Sequence, residues 1–193
     1  NGLNTGGNSL TIANTATGAS STIQFIADAS NNTIANCSIQ GSSTASFGVV
    51  NFSTGTTTGN DANSISNCNI GPAGSNLPLY GIQSLGTSAI VDNSGNTVSG
   101  NNIYDYFSAT SSSRGINLGN FNSGWTITNN KFYQTANRIY TSANTHYGII
   151  ISQGSGYTIT DNVIGYANSG GTGTTNMVGL TSGSLGGTFP SSY

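Results

Sequence analysis

The sequence predicts an all-β chain wound as a solenoid, a parallel β-helix of about six coils of roughly 31 residues. Three observations carry this. Two motifs recur along the chain in phase with each other. Around them apolar residues alternate with polar ones, the period of a strand. Finally, no stretch of 11 residues combines a 3.6-residue period with good helix formers, so helices are at most short.

The first motif appears five times, in the segments Asn32–Ile39, Asn63–Ile70, Asn96–Ile103, Trp125–Phe132 and Tyr157–Ile164. Its first aliphatic falls at Ile34, Ile65, Val98, Ile127 and Ile159, at spacings of 31, 33, 29 and 32 residues. The second motif places a glycine before an aliphatic: Phe47-Gly-Val49, Tyr80-Gly-Ile82, Arg114-Gly-Ile116, Tyr147-Gly-Ile149 and Val178-Gly-Leu180. A unit with two or three short strands cannot bury a face alone, whereas stacked units can. About 31 residues is also too short for a four-stranded propeller blade, which needs about 40–45.

The first repeat is irregular, with strands expected at Leu10–Ala13 and Thr22–Ile26. Insertions after the first motif, Tyr104–Ser113 and Tyr133–Thr145, are expected as loops on one side. Gly170–Thr175 and Leu185–Tyr193 carry no pattern.

Only eight of 193 residues are charged, for a net charge of −2, where an average domain is about a quarter charged. Three basic residues cannot neutralise a nucleic-acid backbone. There is no polybasic stretch for an anionic membrane and no run of 18 apolar residues to span one. Disorder is disfavoured by the small net charge and by 17 aromatic residues. The chain begins at Asn1 and reads as a mature or excised segment, one β-helix domain over 1–193 within a longer chain or assembly. Scarce Lys, absent Glu and abundant Ser and Thr point to an exported, extracellular protein.

The stacked Ile-x-x-Asn-x-Ile pattern resembles the right-handed parallel β-helix repeats of the pectate-lyase-like superfamily, over residues 20 to 185. It is most similar to the non-catalytic tracts of secreted or surface-anchored bacterial proteins. The resemblance implies a buried turn column, here Cys37, Cys68, Asn101, Asn130 and Asn162, whose side chains stack along the rod. Physically, an amide can satisfy both the N–H and the C=O groups that a sharp turn strands. Cys37 and Cys68 are open to two readings, a stacked pair of thiols or a disulfide. Asp161 falls in phase with Asn129, Gly100, Asn67 and Asn36 and reads as a turn residue.

A second column, Phe47, Tyr80, Arg114, Tyr147 and Val178, offers aromatic rings beside a guanidinium. Tyr80, Arg114 and Tyr147 are the candidate ligand-binding residues, for a polysaccharide, against the alternative that they stack on one another. A third column of Thr and Ser, from Thr33 and Ala35 to Thr158 and Thr160, is expected outward, and its Thr-x-Thr array resembles ice-binding solenoids. The single histidine, His146, reads as a surface loop residue. Five scattered Asp form no calcium-loop pattern, and the motifs of pectate lyases and polygalacturonases are absent from the sequence. No catalytic residue, metal site or cofactor is therefore expected.

The leading expectation is a structural or adhesive surface or filament segment. Its partners would be neighbouring coils and further copies end to end. The alternatives, in order, are a carbohydrate-binding module, an ice-binding face and a degenerate polysaccharide lyase or hydrolase.

Overall fold

The structure, a computed structural model, describes residues 1–4 and 7–186. Within them the chain is all β, with strands at equivalent places in successive coils stacked into three long parallel sheets and a short fourth one that pairs Asn93–Ser94 with Asn122–Ser123. Sheet 1 contains Thr33–Ala35, Ser64–Ser66, Thr97–Ser99, Thr126–Thr128 and Thr158–Thr160. Sheet 2 contains Leu10–Asn14, Cys37–Gly41, Asn69–Pro72, Asn102–Tyr104, Lys131–Tyr133 and Val163–Ile164. Sheet 3 contains Ile23–Phe25, Val50–Phe52, Tyr80–Ser84, Ser113–Leu118, Arg138–Ile151 and Met177–Gly186.

The expectation of six coils reduces to about four complete turns. The opening turn contributes strands to sheets 2 and 3 only. In place of a sheet 1 strand, Leu3–Asn4 pairs antiparallel with Gly7–Asn8, and Gly2 N donates to Ala35 O at the sheet edge. The closing turn is irregular, because Met177–Gly186 pairs with Arg138–Ile151 through two register shifts.

Register turns the sequence columns into a core. In sheet 1, Ile34, Ile65, Val98, Ile127 and Ile159 pair in succession. In sheet 2 the succession is Ile12, Ile39, Ile70, Ile103, Phe132 and Ile164. Sheet 3 adds Ile23, Val50, Ile82, Ile116 and Ile149. The central members are fully buried, each stabilising the fold by about 1.5–3 kcal/mol relative to an exposed side chain.

A single residue turns the chain from sheet 1 into sheet 2 in every coil. Asn36, Asn67, Gly100, Asn129 and Asp161 all hold φ between 52° and 67°. The left-handed region admits Gly freely and favours Asn and Asp among the rest, so Asp161 is the turn residue its phase predicts.

The recurring glycine of sheet 3 answers a different need. A Cβ on Gly81 would stand 2.6 Å from Ile103 Cγ2, one on Gly115 2.5 Å from Phe132 Cδ1, and one on Gly148 2.7 Å from Ile164 Cδ1. Glycine is demanded there by the sheet 2 side chain that faces it across the core.

Three sequence expectations are corrected. Ile82 pairs with Val50 rather than Val49, so Phe47 stands one residue out of step, an offset taken up where Gly48 turns left-handed at φ 70°. Val178 pairs with Ile139, while Tyr147 pairs with Gly186. The column of five therefore keeps only Tyr80, Arg114 and Tyr147. The expected loop Tyr133–Thr145 is shorter, because Arg138–Ile151 is one continuous strand. That strand carries His146 into the interior, where it is 7% exposed rather than on the surface. Of the patternless end Leu185–Tyr193, Leu185 and Gly186 close the last strand, and the rest lies outside the described residues.

Candidate functional site

Tyr80, Arg114 and Tyr147 pair in register on adjacent strands of sheet 3. The Arg114 guanidinium carbon lies 4.9 Å from the Tyr80 ring centroid and 5.9 Å from that of Tyr147. Tyr80 is buried, and the other two are half-buried. The guanidinium thus takes up ring face that a sugar would otherwise use, an attraction of about 0.5–2 kcal/mol per ring.

From Arg114 a polar chain runs along the sheet. Nη1 donates to Asn117 Oδ1 at 3.0 Å, Asn117 Nδ2 donates to Gln83 Oε1 at 2.5 Å, and Gln83 Nε2 donates to Ser84 O at 3.2 Å. Asn51, Gln83 and Asn117 are paired across three strands and nearly covered. Arg114 Nε is buried with no hydrogen-bond partner. Among the described residues Arg114 meets no carboxylate; the ion pair there is Arg138 with Asp105, at 2.6 Å.

The turn column is a ladder. Asn101 Nδ2 donates to Asn130 Oδ1 and Asn130 Nδ2 to Asn162 Oδ1, both at 3.0 Å. Each amide also accepts from the backbone N–H of the preceding coil: Cys68 N to Asn101 Oδ1 at 2.8 Å, then Asn101 N to Asn130 and Asn130 N to Asn162. Each donates back to a sheet 1 carbonyl, of Ile65, Val98 and Ile127. Cys37 and Cys68 extend the column as free, buried thiols. Burial raises the pKa of the Cys68 thiol, which keeps it protonated and unreactive.

Sequence reasoning missed a second ladder at the corner before sheet 1. Asn32, Asn63 and Asn96 are linked amide to amide at 2.9 and 3.2 Å. Asn63 and Asn96 donate to Ala29 O and Asn60 O in the coil before. Where the column becomes aromatic, Trp125 Nε1 donates to Asn93 O at 2.8 Å and Tyr157 Oη to Asn122 O at 2.7 Å. Indole and phenol thus take over the amide's donor role. The signal lay in the first residue of each repeat motif: Asn, Asn, Asn, Trp and Tyr all carry a side-chain donor. Asn60 and Asn93 form a further rung, at 3.1 Å.

Carboxylates join coils as well. Asp28 accepts from the backbone N–H groups of Thr56, Thr57, Thr58 and Gly59 and from the Thr56 hydroxyl. The Thr56 hydroxyl, followed by the backbone donors, holds its pKa well below the usual carboxylate range. Asp61 accepts from Ser94, Asp92 from Ser123, and Asp105 from Thr135 and Arg138. Among the described residues no three His, Cys, Asp or Glu side chains converge to hold a metal ion.

Comparison finds no match. No protein-family model, no curated protein and no solved structure aligns significantly with the chain. Its own geometry is therefore the basis for any reading of function.

The outer face of sheet 1 presents the hydroxyl array. Thr97 pairs with Ser64 and Thr126, and Ser99 with Ser66 and Thr128, all of them half-buried. Ala35 interrupts the second row beside Ser66.

Proposed function

We propose that the chain is a structural, adhesive tract of an extracellular surface or filament protein, with the coil of the pectate-lyase-like superfamily and no catalytic chemistry of its own. One observation carries the reading. The side chains an enzyme would hold ready for substrate are engaged between neighbouring coils, as with the carboxylates of Asp28, Asp61, Asp92 and Asp105 and the amides of Asn63, Asn96, Asn101 and Asn130. Such cross-links stiffen a rod along its axis. Partners in this reading are further coils and other copies stacked end to end. The core column of sheet 2 favours that geometry: Ile164 at its end is 38% exposed, while Ile103 and Phe132 before it are closed.

Intact mass and electron microscopy of the native particle across concentration test the proposal. Rods that lengthen with concentration, or that continue into a longer chain, are the expected result. A compact monomer that cleaves a polysaccharide from a broad panel overturns it.

A second reading, carbohydrate binding, is favoured by Arg114, whose Nε has no partner and whose charge meets no carboxylate among the described residues. Tyr147→Ala and Arg114→Ala should then abolish retention on a glycan array, and unchanged retention rules it out.

A further inference from the structure

The last coils surround a cavity that the proposed function does not use. It measures about 270 Å³ and is partly open, with Tyr106, Phe132, Tyr133, His146, Tyr166 and Met177 in its wall. Typical ligand pockets start at about 300 Å³, and an apolar cavity of about 150 Å³ can already hold benzene.

The wall is built around the single histidine. Tyr106 lies flat on His146, ring centroids 4.8 Å apart and planes 12° from parallel. Tyr140 stands edge-on to the same imidazole, at 6.5 Å and 65°. Its Oη is 3.1 Å from His146 Nδ1 and donates to Ser113 Oγ at 3.1 Å. Ser113 in turn donates to Ser111 O and accepts from Ser108 N.

The imidazole tautomer follows from the direction assigned to the Tyr140–Ser113 hydrogen bond. A phenolic hydroxyl has one proton, and that of Tyr140 points to Ser113. With Oη donating to Ser113, Oη meets Nδ1 with a lone pair, which places the imidazole proton on Nδ1. In a neutral ring with Nδ1–H, Nε2 is an acceptor. Burial, reinforced by the Arg138 charge, pulls the His146 pKa down to about 4, so the ring is neutral at pH 7. Among the described residues no hydrogen bond reaches Nε2.

The charged groups nearby and the Gln134 amide are committed. Arg138 donates to Asp105 and to Gln134 Oε1, and Gln134 Nε2 donates to Tyr106 O. An ionic ligand would meet no free opposite charge. A sugar would bury several hydroxyls against a largely aromatic wall, an uncompensated cost of about 1–3 kcal/mol each.

We propose that this cavity binds a small uncharged aromatic bearing one hydrogen-bond donor, phenol being the simplest, with its ring among the tyrosines and its O–H donated to His146 Nε2. A chain with one histidine reports on this directly. Imidazole ¹⁵N resonances of the intact protein are followed while phenol, benzene and glucose are titrated in. The free protein should show Nδ1 protonated and Nε2 bare. Phenol should shift Nε2 saturably, benzene should bind about tenfold more weakly for want of one hydrogen bond, and glucose should not bind. His146→Phe keeps a ring on Tyr106 and should lower phenol affinity to that of benzene. Any of four results overturns the proposal: a proton on Nε2 in the free protein, no saturable shift with phenol, benzene binding as tightly as phenol, or glucose binding in its place. If His146→Phe does not fold, the wild-type titration alone decides.

Discussion

The Cys37 backbone nitrogen lies 3.5 Å from Cys68 Sγ, in the place where the Cys68 nitrogen finds Asn101 Oδ1 at 2.8 Å. The same sulfur sits 3.8 Å from Ile34 O, the slot in which Asn101 Nδ2 reaches Ile65 O at 2.9 Å. Thiols thus occupy a column shaped for amides and fill its hydrogen bonds poorly.

Cys68→Asn should therefore stabilise the fold. A restored rung would accept from Cys37 N and donate to Ile34 O, a gain of about 1 kcal/mol. Thermal unfolding should rise by about 2–4 °C for a chain of this size. A lower midpoint would mean that the packing around the sulfur leaves no room for the amide.

Removing a rung should cost more at the centre of the ladder than at its end. Asn130→Ala leaves Val98 O and the N–H of Asn101 unpaired in a fully buried site, a loss of about 2–4 kcal/mol. Asn162→Ala acts where the column is half-buried and water can substitute, so its cost should be smaller. Chemical denaturation of the two variants side by side checks the order, and equal losses would contradict it.

Gly115→Ala probes the packing of sheet 3 on sheet 2. Its methyl group would meet Gly148 O and Phe132 Cδ1, both at 2.5 Å. One contact is backbone of the next strand, so relief requires shifting a coil, at about 1–3 kcal/mol. Wild-type stability in this variant would show that the sheets have slack between them.

Acid should weaken the fold in two windows. The folded pKa of His146, about 4, lies below the 6.5 of the unfolded chain. Between those values the unfolded state binds the extra proton, so stability falls as pH drops from 6.5 to 4 and that loss is complete below 4. The total is at most about 3 kcal/mol. Asp28 has a depressed pKa and acts lower: its contribution is present above the ordinary carboxylate range and fades as pH falls through and below it. Urea unfolding from pH 7.5 to 4 should slope downward in the wild type and flatten in His146→Phe. An unchanged slope in the variant would place the titration elsewhere.

How far each feature could be read in advance depended on whether its signal repeats. The core columns, the left-handed turn at Asn36 and its equivalents, and the amides of Asn101, Asn130 and Asn162 recur coil after coil. Repetition separates them from accident. The ladder through Asn32, Asn63 and Asn96 was hidden because Trp125 and Tyr157 continue it with a different chemistry and the same donor. Phe47 was misplaced because a glycine turn absorbs a one-residue slip that spacing alone does not reveal. His146 occurs once, in a segment read as a loop. Its burial depends on a strand extended back to Arg138 and on the Tyr106 ring, and neither follows from local pattern.

Because every ladder links a residue to its equivalent about one coil away, the molecule can be measured in whole turns. Asn63 and Asn96 occupy the same place on successive coils. Excising residues 64–96 would splice like to like and shorten the rod by one strand spacing, about 4.8 Å. Cutting half as much would put core columns on the outside. Reach is thus a counted property of this architecture, adjustable by duplication or loss of a turn.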